Sequence, residues 1–507
     1  MHNIYLQNLG CEKNTVDGEH ILAIVKNKGY NIIDNPEEAD IIIINTCAFI
    51  EDSKKESIDS IFEHSIYKKY GKCKRLIVSG CMSERYKENF LEMFKEVDSA
   101  IGIHNLNNIL DAIEKDGFHD ASENIIYKEY SGRINTGSLH SAYIRISDGC
   151  HANCRFCAIP KIRGLHRSRK IEDIAMEVQN YAQNGVKEIN LIAQETTYYG
   201  YDLYKKLALP DLLKSLSKIE GIEWIRVLYQ NPVILTDKII ESFFKIDKVL
   251  PYFDIPLQHV DKNILKDMNR GNRSYKFYRN MIDKIRGFDD NAVIRTSFIV
   301  GFPGETSESF KKLLKFIKNA KIIYASGITQ SLSMNSREAV KKAFEVAKEN
   351  GVITAYDPNY SSLISTPEDA KEYFDEIAPY TDILFMSSKY DAKSIFEIES
   401  VENITKYLID LGIQTVVIKS SPDKGYFINC LGKNYFVPFY TENIVDTTSS
   451  GDAFNGAFLH AISHGYTPVE AGKIASIDAG LQAQGIGAIK STPYYDEVYK
   501  IYKTEDF

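Results

Sequence analysis

With 507 residues, 44% of them hydrophobic and 26% charged, the chain is too long for one hydrophobic core and reads as about two to four domains of ordinary globular composition. A formal net charge of −8 excludes a protein that coats nucleic acid. No apolar run approaches the about 18 residues needed to span a bilayer, and the N-terminus lacks a basic start ahead of an apolar core, so a cytoplasmic address with no membrane partner is expected.

Residues 3–115 alternate short apolar runs with amphipathic stretches. NIYLQNLG, ADIIIINT and KRLIVSG read as buried parallel strands, and the stretches between them as helices. This is the pattern of an open α/β sheet, whose ligands sit at the carboxyl ends of its strands. Cys11, Cys47 and Cys81 each follow one of these strands, so they are expected to converge on one sheet edge. Residues 116–140 are polar and irregular and read as a linker, part of it able to pair as a hairpin.

From residue 142 the alternation resumes with a longer period. AYIRISDG, EINLIAQE, WIRVLYQN, YFDIPLQH and AVIRTSFIVGF are candidate strands, each followed by a helical segment, the last at 307–321. Such βα units make a partial or complete (β/α) barrel with its function at the carboxyl ends of the strands. IIYASGI falls where a sixth barrel strand would lie. Beyond Lys321 the chain stays α/β in style. VITAYDPN, DILFMSS, QTVVIKSS, GYFINCLG and KNYFVPF read as strands, and long helices start at Gly451 and about Pro468.

Eight cysteines in a chain of this address are not expected to form structural disulfides. Cys150, Cys154 and Cys157 form C-x-x-x-C-x-x-C in the loop leaving the first barrel strand. Three thiolates so spaced can hold three irons of a four-iron cluster and leave the fourth open to a cofactor. The alternative is a zinc ion completed by His151 or His166. For Cys11, Cys47 and Cys81 the alternative is burial as small apolar side chains, the reading that also suits Cys73 and Cys430. The run KIRGLHRSRK at 161–170 holds five Lys or Arg. It reads either as a solvated loop or helix start or, because it follows the cysteine loop, as a surface facing a substrate.

CHANCRFCAIPKIRGLHRSR resembles the radical S-adenosylmethionine core of the methylthiotransferases, and NLGCEKNTVDGE, INTCAFI and VSGCM resemble the cysteine boxes of their N-terminal domain. LGCEKNTVD, LIAQETTYYGYDLY and FIVGFPGET resemble the branch that modifies an aspartate of the twelfth small-subunit ribosomal protein more than the tRNA-modifying branch. The resemblance covers residues 1–320. It implies a [4Fe-4S] cluster on Cys150, Cys154 and Cys157 that cleaves S-adenosylmethionine reductively, so that a 5′-deoxyadenosyl radical takes hydrogen from the aspartate β-carbon. It also implies an auxiliary [4Fe-4S] cluster on Cys11, Cys47 and Cys81 that supplies sulfur methylated by a second S-adenosylmethionine. The cofactors carry the difficult chemistry and the protein positions them. Glu195, ending the second barrel strand, is placed to meet the cofactor's ammonium group, or is a solvated strand-end carboxylate. Implied partners are the ribosomal protein or ribosome and a reductant such as flavodoxin or ferredoxin.

DTTSSGDAFNGAF, starting at Asp446, resembles the signature of the ribokinase-like (PfkB-type) carbohydrate kinases, and AYDPNYSS and GLQAQGIGA agree with other boxes of that family. In such kinases the turn and the following helix N-terminus hold phosphate of ATP. Here Ser450, Gly451 and Asp452 would form that cradle, with Asp452 as the base toward a sugar hydroxyl. A chance N-capped helix is the plainer alternative. IKSSPDKG lacks the first glycine usual in the nucleotide loop, and the resemblance spans only the C-terminal half of such a kinase, so the phosphate site reads as a remnant.

The fold class expected is α/β: an N-terminal open parallel sheet, a partial radical S-adenosylmethionine barrel, then the C-terminal half of a ribokinase-like fold. The domains are expected at 1–125, 141–321 and 322–507, with a linker at 126–140. The function expected is methylthio transfer. The alternatives are a carbohydrate kinase and an inactive fusion or assembly chimera of the two.

Overall fold

The computed structural model describes residues 2–49, 51–120, 132–137, 140–317, 321–331, 334–362, 364–419, 425–441, 443–445, 447, 450–484, 493 and 495–504. The chain divides into two compact units, Met1–Phe298 and Ile299–Phe507. The expected hairpin within 116–140 falls mostly on residues 121–131, outside the described residues.

The first unit opens with β1 (Asn3–Asn8), β2 (Asn31–Ile32), β3 (Ile41–Thr46), β4 (Arg75–Gly80), β5 (Ser99–Ile101) and β6 (Gly117–His119). They lie in the order β2-β1-β3-β4-β5-β6, and every neighbouring pair is parallel. β3 is buried at every residue, as a strand covered on both faces must be. Ile41 and Ile43 pack with Ile4, Ile77 and the helix residues Ile21 and Val25. Ile42 and Ile44 face the other layer, with Leu76, Val78, Phe90 and Phe94. A period of two therefore feeds two cores from one strand.

β7 (Ser141–Arg145) starts the second region. β8 (Ser147–Asp148) and β9 (Arg167–Ser168) form a small antiparallel ladder around the cysteine loop. β10 (Glu188–Ile192) and β11 (Trp224–Val227) complete a parallel sheet in the order β11-β10-β7, and β12 (Tyr252–Asp254) pairs with β13 (Val293–Arg295), also in parallel. A bridge from Ile225 to Val249 lies between β11 and β12. Phe253 stacks on Phe243 of the helix Asp237–Lys245, so Tyr252 and Asp254 point the opposite way. There Arg226 bonds Glu188 at 2.8 Å and covers the Tyr252 ring, while Arg295 stands 3.7 Å from Asp254.

The second unit holds β14 (Ile322–Ser326), β15 (Ile353–Asp357), β16 (Ile383–Ser387), β17 (Thr415–Lys419), β18 (Gly425–Cys430) and β19 (Lys433–Pro438), paired in sequence order. Pairings through β17 are parallel and the last two antiparallel. One face packs on the helices Ser450–Ser463 and Pro468–Ala483 through Phe385, Ile428, Phe454 and Phe458. The other packs Tyr356, Leu384 and Val416 on Phe344, Phe374 and Leu408. IIYASGI is therefore not a sixth barrel strand: Ile322–Ser326 pair residue for residue with Ile353–Asp357. The short β15 run of apolar residues needs a neighbour on each side, and β14 is the strand that supplies one. Among the described residues no helix is long and apolar enough to cross a membrane.

Candidate active site

β1, β3 and β4 are adjacent and in register, with Asn8 opposite Asn45 and Thr46 opposite Gly80. Their carboxyl ends are level, so the residues that follow meet on one edge. Cys11 caps the helix Glu12–Asn27, Cys47 follows β3, and Cys81 begins the helix Cys81–Tyr86. Gly10 turns with φ +87°, and a Cβ there would stand 3.0 Å from the Cys47 sulfur and 2.7 Å from its Cβ. Gly80, at φ +107°, leaves no room beside the Thr46 carbonyl. Only glycine fits either turn without strain.

Asn14 ties the three loops together. Its Nδ2 donates to the Leu9 carbonyl (3.1 Å) and the Thr46 carbonyl (2.9 Å), and its Oδ1 accepts from the Cys81 thiol (3.4 Å) and from Arg163 Nη2 (2.9 Å). Burial pushes the Cys81 thiol up to about 12, with Cys11 and Cys47 adding to the rise and Arg163 opposing it. Tyr229, beyond the end of β11, takes φ +57°, an outlier of the kind that clusters at functional sites. Its hydroxyl donates to Glu12 at 2.6 Å, and the buried Lys13 ammonium lies 3.2 Å from its ring centroid.

The other cysteines leave β8. Cys150 N bonds the Gly164 carbonyl (3.1 Å) and Cys157 N the Cys154 carbonyl (3.0 Å). Ala152 N lies 3.4 Å from the Cys150 sulfur and Arg270 Nη1 3.9 Å from the Cys154 sulfur. Glu195, just beyond the end of β10, is 4% exposed. Asn231 donates to its carboxylate at 3.1 Å, and the Cys150 sulfur stands 3.7 Å away. Burial raises the Glu195 carboxyl. No three His, Cys, Asp or Glu side chains among the described residues converge as ligands of a single metal ion.

In the second unit, Ser450 starts a 14-residue helix, its N–H and hydroxyl both bonded to the Thr447 carbonyl (3.1 and 2.6 Å). Asp357, 1% exposed, accepts from Lys419 (2.5 Å) and Asn455 (2.6 Å). A Cβ on Gly451 would stand 3.4 Å from that Lys419 nitrogen. Asp452 is exposed on the first turn. Asp446, Ser449 and the loop 420–424 lie outside the described residues, as does the end of GLQAQGIGA.

Residues 3–102 match the uncharacterized protein family UPF0004, residues 144–317 the radical SAM superfamily and residues 292–494 the pfkB family of carbohydrate kinases. The ribosomal protein uS12 methylthiotransferase RimO of Thermoanaerobacter sp. (strain X514) is 42% identical over 359 residues, which are 69% of this chain and 82% of the relative. RimO of Aquifex aeolicus (strain VF5) is 47% identical over 324 residues, 64% of this chain and 71% of the relative. The chain belongs to the uS12 methylthiotransferase family. Solved structures similar to it include Arabidopsis thaliana ribokinase with ribose and ATP (24% identity, 38% of this chain, 59% of that one, TM-score 0.32). The fructokinase of Vibrio cholerae O395 is another (20%, 44% and 81%, TM-score 0.34).

The family's radical S-adenosylmethionine and iron–sulfur chemistry suits the side chains of this methylthiotransferase. All eight cysteines are free thiols, and each triad has a cationic donor at one sulfur, Arg163 at Cys81 and Arg270 at Cys154. His151 and His166 are engaged elsewhere. His151 Nδ1 accepts from His166 N, His166 Nε2 meets Ser168 Oγ at 3.1 Å, and both rings pack on Tyr198. Cys73 donates to the Arg75 carbonyl, and Cys430 is half-buried at the end of β18.

The basic run 161–170 does not form a surface. Arg163 (1% exposed) bonds Asp17 at 2.8 Å, and Arg169 (8%) bonds Glu177 at 2.6 Å. Only its flanking Lys161 and Lys170 are exposed among its basic residues. Asn14, Asp17 and Tyr229 were not singled out by the sequence, and Arg163 was noted only as part of the basic run. Their signals were present, in Asn14 and Asp17 falling a helical turn apart after Cys11 and in three arginines beside a cysteine loop, but neither pattern reveals burial.

Proposed function

We propose that the chain methylthiolates the β-carbon of an aspartate in ribosomal protein uS12. Cys150, Cys154 and Cys157 would hold one [4Fe-4S] cluster and Cys11, Cys47 and Cys81 an auxiliary one. Bound there, these clusters and S-adenosylmethionine supply the reductive radical and sulfur chemistry of the family. Glu195 would hold the cofactor's ammonium group, with Asn231 keeping that carboxylate in place at 3.1 Å. Lys13, Glu12 and Tyr229 fix the helix behind Cys11 against the end of β11. The partners are uS12 and a flavodoxin- or ferredoxin-type reductant.

The observation that carries this reading is the pair of cysteine triads at the carboxyl ends of two parallel strand systems within one compact unit. Cleavage of S-adenosylmethionine by the anaerobically reconstituted chain tests it. Cys150→Ala should abolish cleavage and Cys81→Ala should leave it in place. Loss in both, or in neither, contradicts the assignment of roles.

The kinase reading rests on the match over residues 292–494. We assign Ser450, Gly451 and Asp452 to a vestigial phosphate site, supported by the Lys419 amine that stands over Gly451 while paired to Asp357. Sugar-dependent ATP hydrolysis is expected to be absent. Hydrolysis that disappears in Asp452→Ala would restore the kinase reading.

A further inference from the structure

Six residues after Cys157, the short helix Ile159–Ile162 delivers Arg163 into the interior, its N–H bonded to the Ile159 carbonyl at 2.7 Å. Arg163 is 1% exposed. Nη2 donates to Asp17 Oδ2 (2.8 Å) and Asn14 Oδ1 (2.9 Å) and lies 3.5 Å from the Cys81 sulfur. Nη1 reaches Asp148 Oδ1 at 3.3 Å, which also accepts from Gln194 Nε2 at 2.9 Å. Arg145 Nη1 bonds the second Asp17 oxygen at 2.6 Å.

Two carboxylates already balance the two arginines, so ion pairing alone does not require an N–H aimed at sulfur. A buried guanidinium is costly to desolvate unless its donors are used; the two hydrogens of Nη2 serve Asp17 and Asn14, and the Cys81 sulfur, at 3.5 Å, shares one of them as the longer branch of a three-centre contact. Asp148 lies two residues before Cys150, and Asn14 lies three after Cys11. One planar fork thus spans the roots of both cysteine loops.

We propose that Arg163 is a positioning residue for the auxiliary site: the loop carrying Cys150, Cys154 and Cys157 supplies the hydrogen-bond donor that fixes and charge-balances the sulfur of Cys81. This rests on the assignment of Cys11, Cys47 and Cys81 to an auxiliary cluster. Donors to ligand sulfurs raise a cluster's reduction potential and orient its ligands. Losing Arg163 therefore moves the auxiliary potential to more negative values.

The test uses the full chain with Cys150→Ala, Cys154→Ala and Cys157→Ala, so that only the auxiliary cluster assembles. A potentiometric titration followed by electron paramagnetic resonance compares this parent with Arg163→Gln, Arg163→Lys and Arg169→Gln. About four irons per chain are expected in the parent. The potential should fall in Arg163→Gln, fall less in Arg163→Lys, and stay at the parent value in Arg169→Gln. Arg169 is a control from the same run, equally committed to a buried carboxylate but without a sulfur contact. If Arg163→Gln takes up no iron, Arg163→Lys with a lowered potential still supports the proposal. A parental potential in any iron-loaded Arg163 variant overturns it. So does collapse of the thermal transition of both variants before iron is added, which would make the residue purely structural. Failure of the parent itself to bind iron would instead sink the auxiliary-site assignment.

Discussion

Gly10 controls how closely the loop after β1 can approach Cys47. A methyl group there would meet Cys47 Cβ at 2.7 Å on a backbone already at φ +87°. Gly10→Ala should therefore damage one triad and spare the other, lowering reconstituted iron from about eight to about four atoms per chain. An unchanged iron content would show that the loop yields. A different residue sets a pH dependence. Burial alone pushes the Asp478 carboxyl up to about 7, well above its ordinary value. Stability from the protonated form is then fully present below about pH 4 and is lost as pH rises through about 7. Asp478→Asn should stabilise the fold at pH 8 by on the order of a few kcal/mol, read as a raised melting temperature, and have no effect near pH 4. Thermal scans of both proteins across that range check this; parallel curves would contradict it.

The parallel strands of the first unit keep the cysteines level, so the core beneath them should govern the site. Ile77 of β4 is fully buried against Ile43 and Ile101. Truncation to alanine should cost roughly 2–5 kcal/mol, read as a lowered denaturant midpoint in Met1–Phe298, and should lower iron retention at Cys81 before that at Cys150. The principal strands were legible in sequence because runs such as IIII announce a strand covered on both faces. β5 and β6, three residues each, were not, since three residues carry no period. The cysteines were legible as strand-end punctuation. Arg163 and Arg169 were misread because charge suggests solvent; Asp17, the partner of Arg163, is distant in sequence, and Glu177, eight residues after Arg169, sits on a helix whose buried face the run itself does not reveal. β14 was ambiguous by position and was decided by hydrogen-bond register with β15.

Across the molecule, one chain joins the matched regions of a radical methylthiotransferase to those of a carbohydrate kinase, the two matches overlapping at residues 292–317. Both affinities were legible because short motifs survive where overall composition is unremarkable. What composition could not give was which acids and bases are committed inside, as Lys419 is to Asp357. The central claim is that the methylthiotransferase chemistry belongs to the regions matched at residues 3–102 and 144–317 and needs both triads. The most direct measurement is mass spectrometry of uS12 after anaerobic incubation with the reconstituted full chain, S-adenosylmethionine and reductant. The expected result is one methylthio group on an aspartate, absent with Cys150→Ala and absent with Cys47→Ala. An unmodified uS12 with a fully iron-loaded chain, or a product that persists in Cys47→Ala, would contradict it.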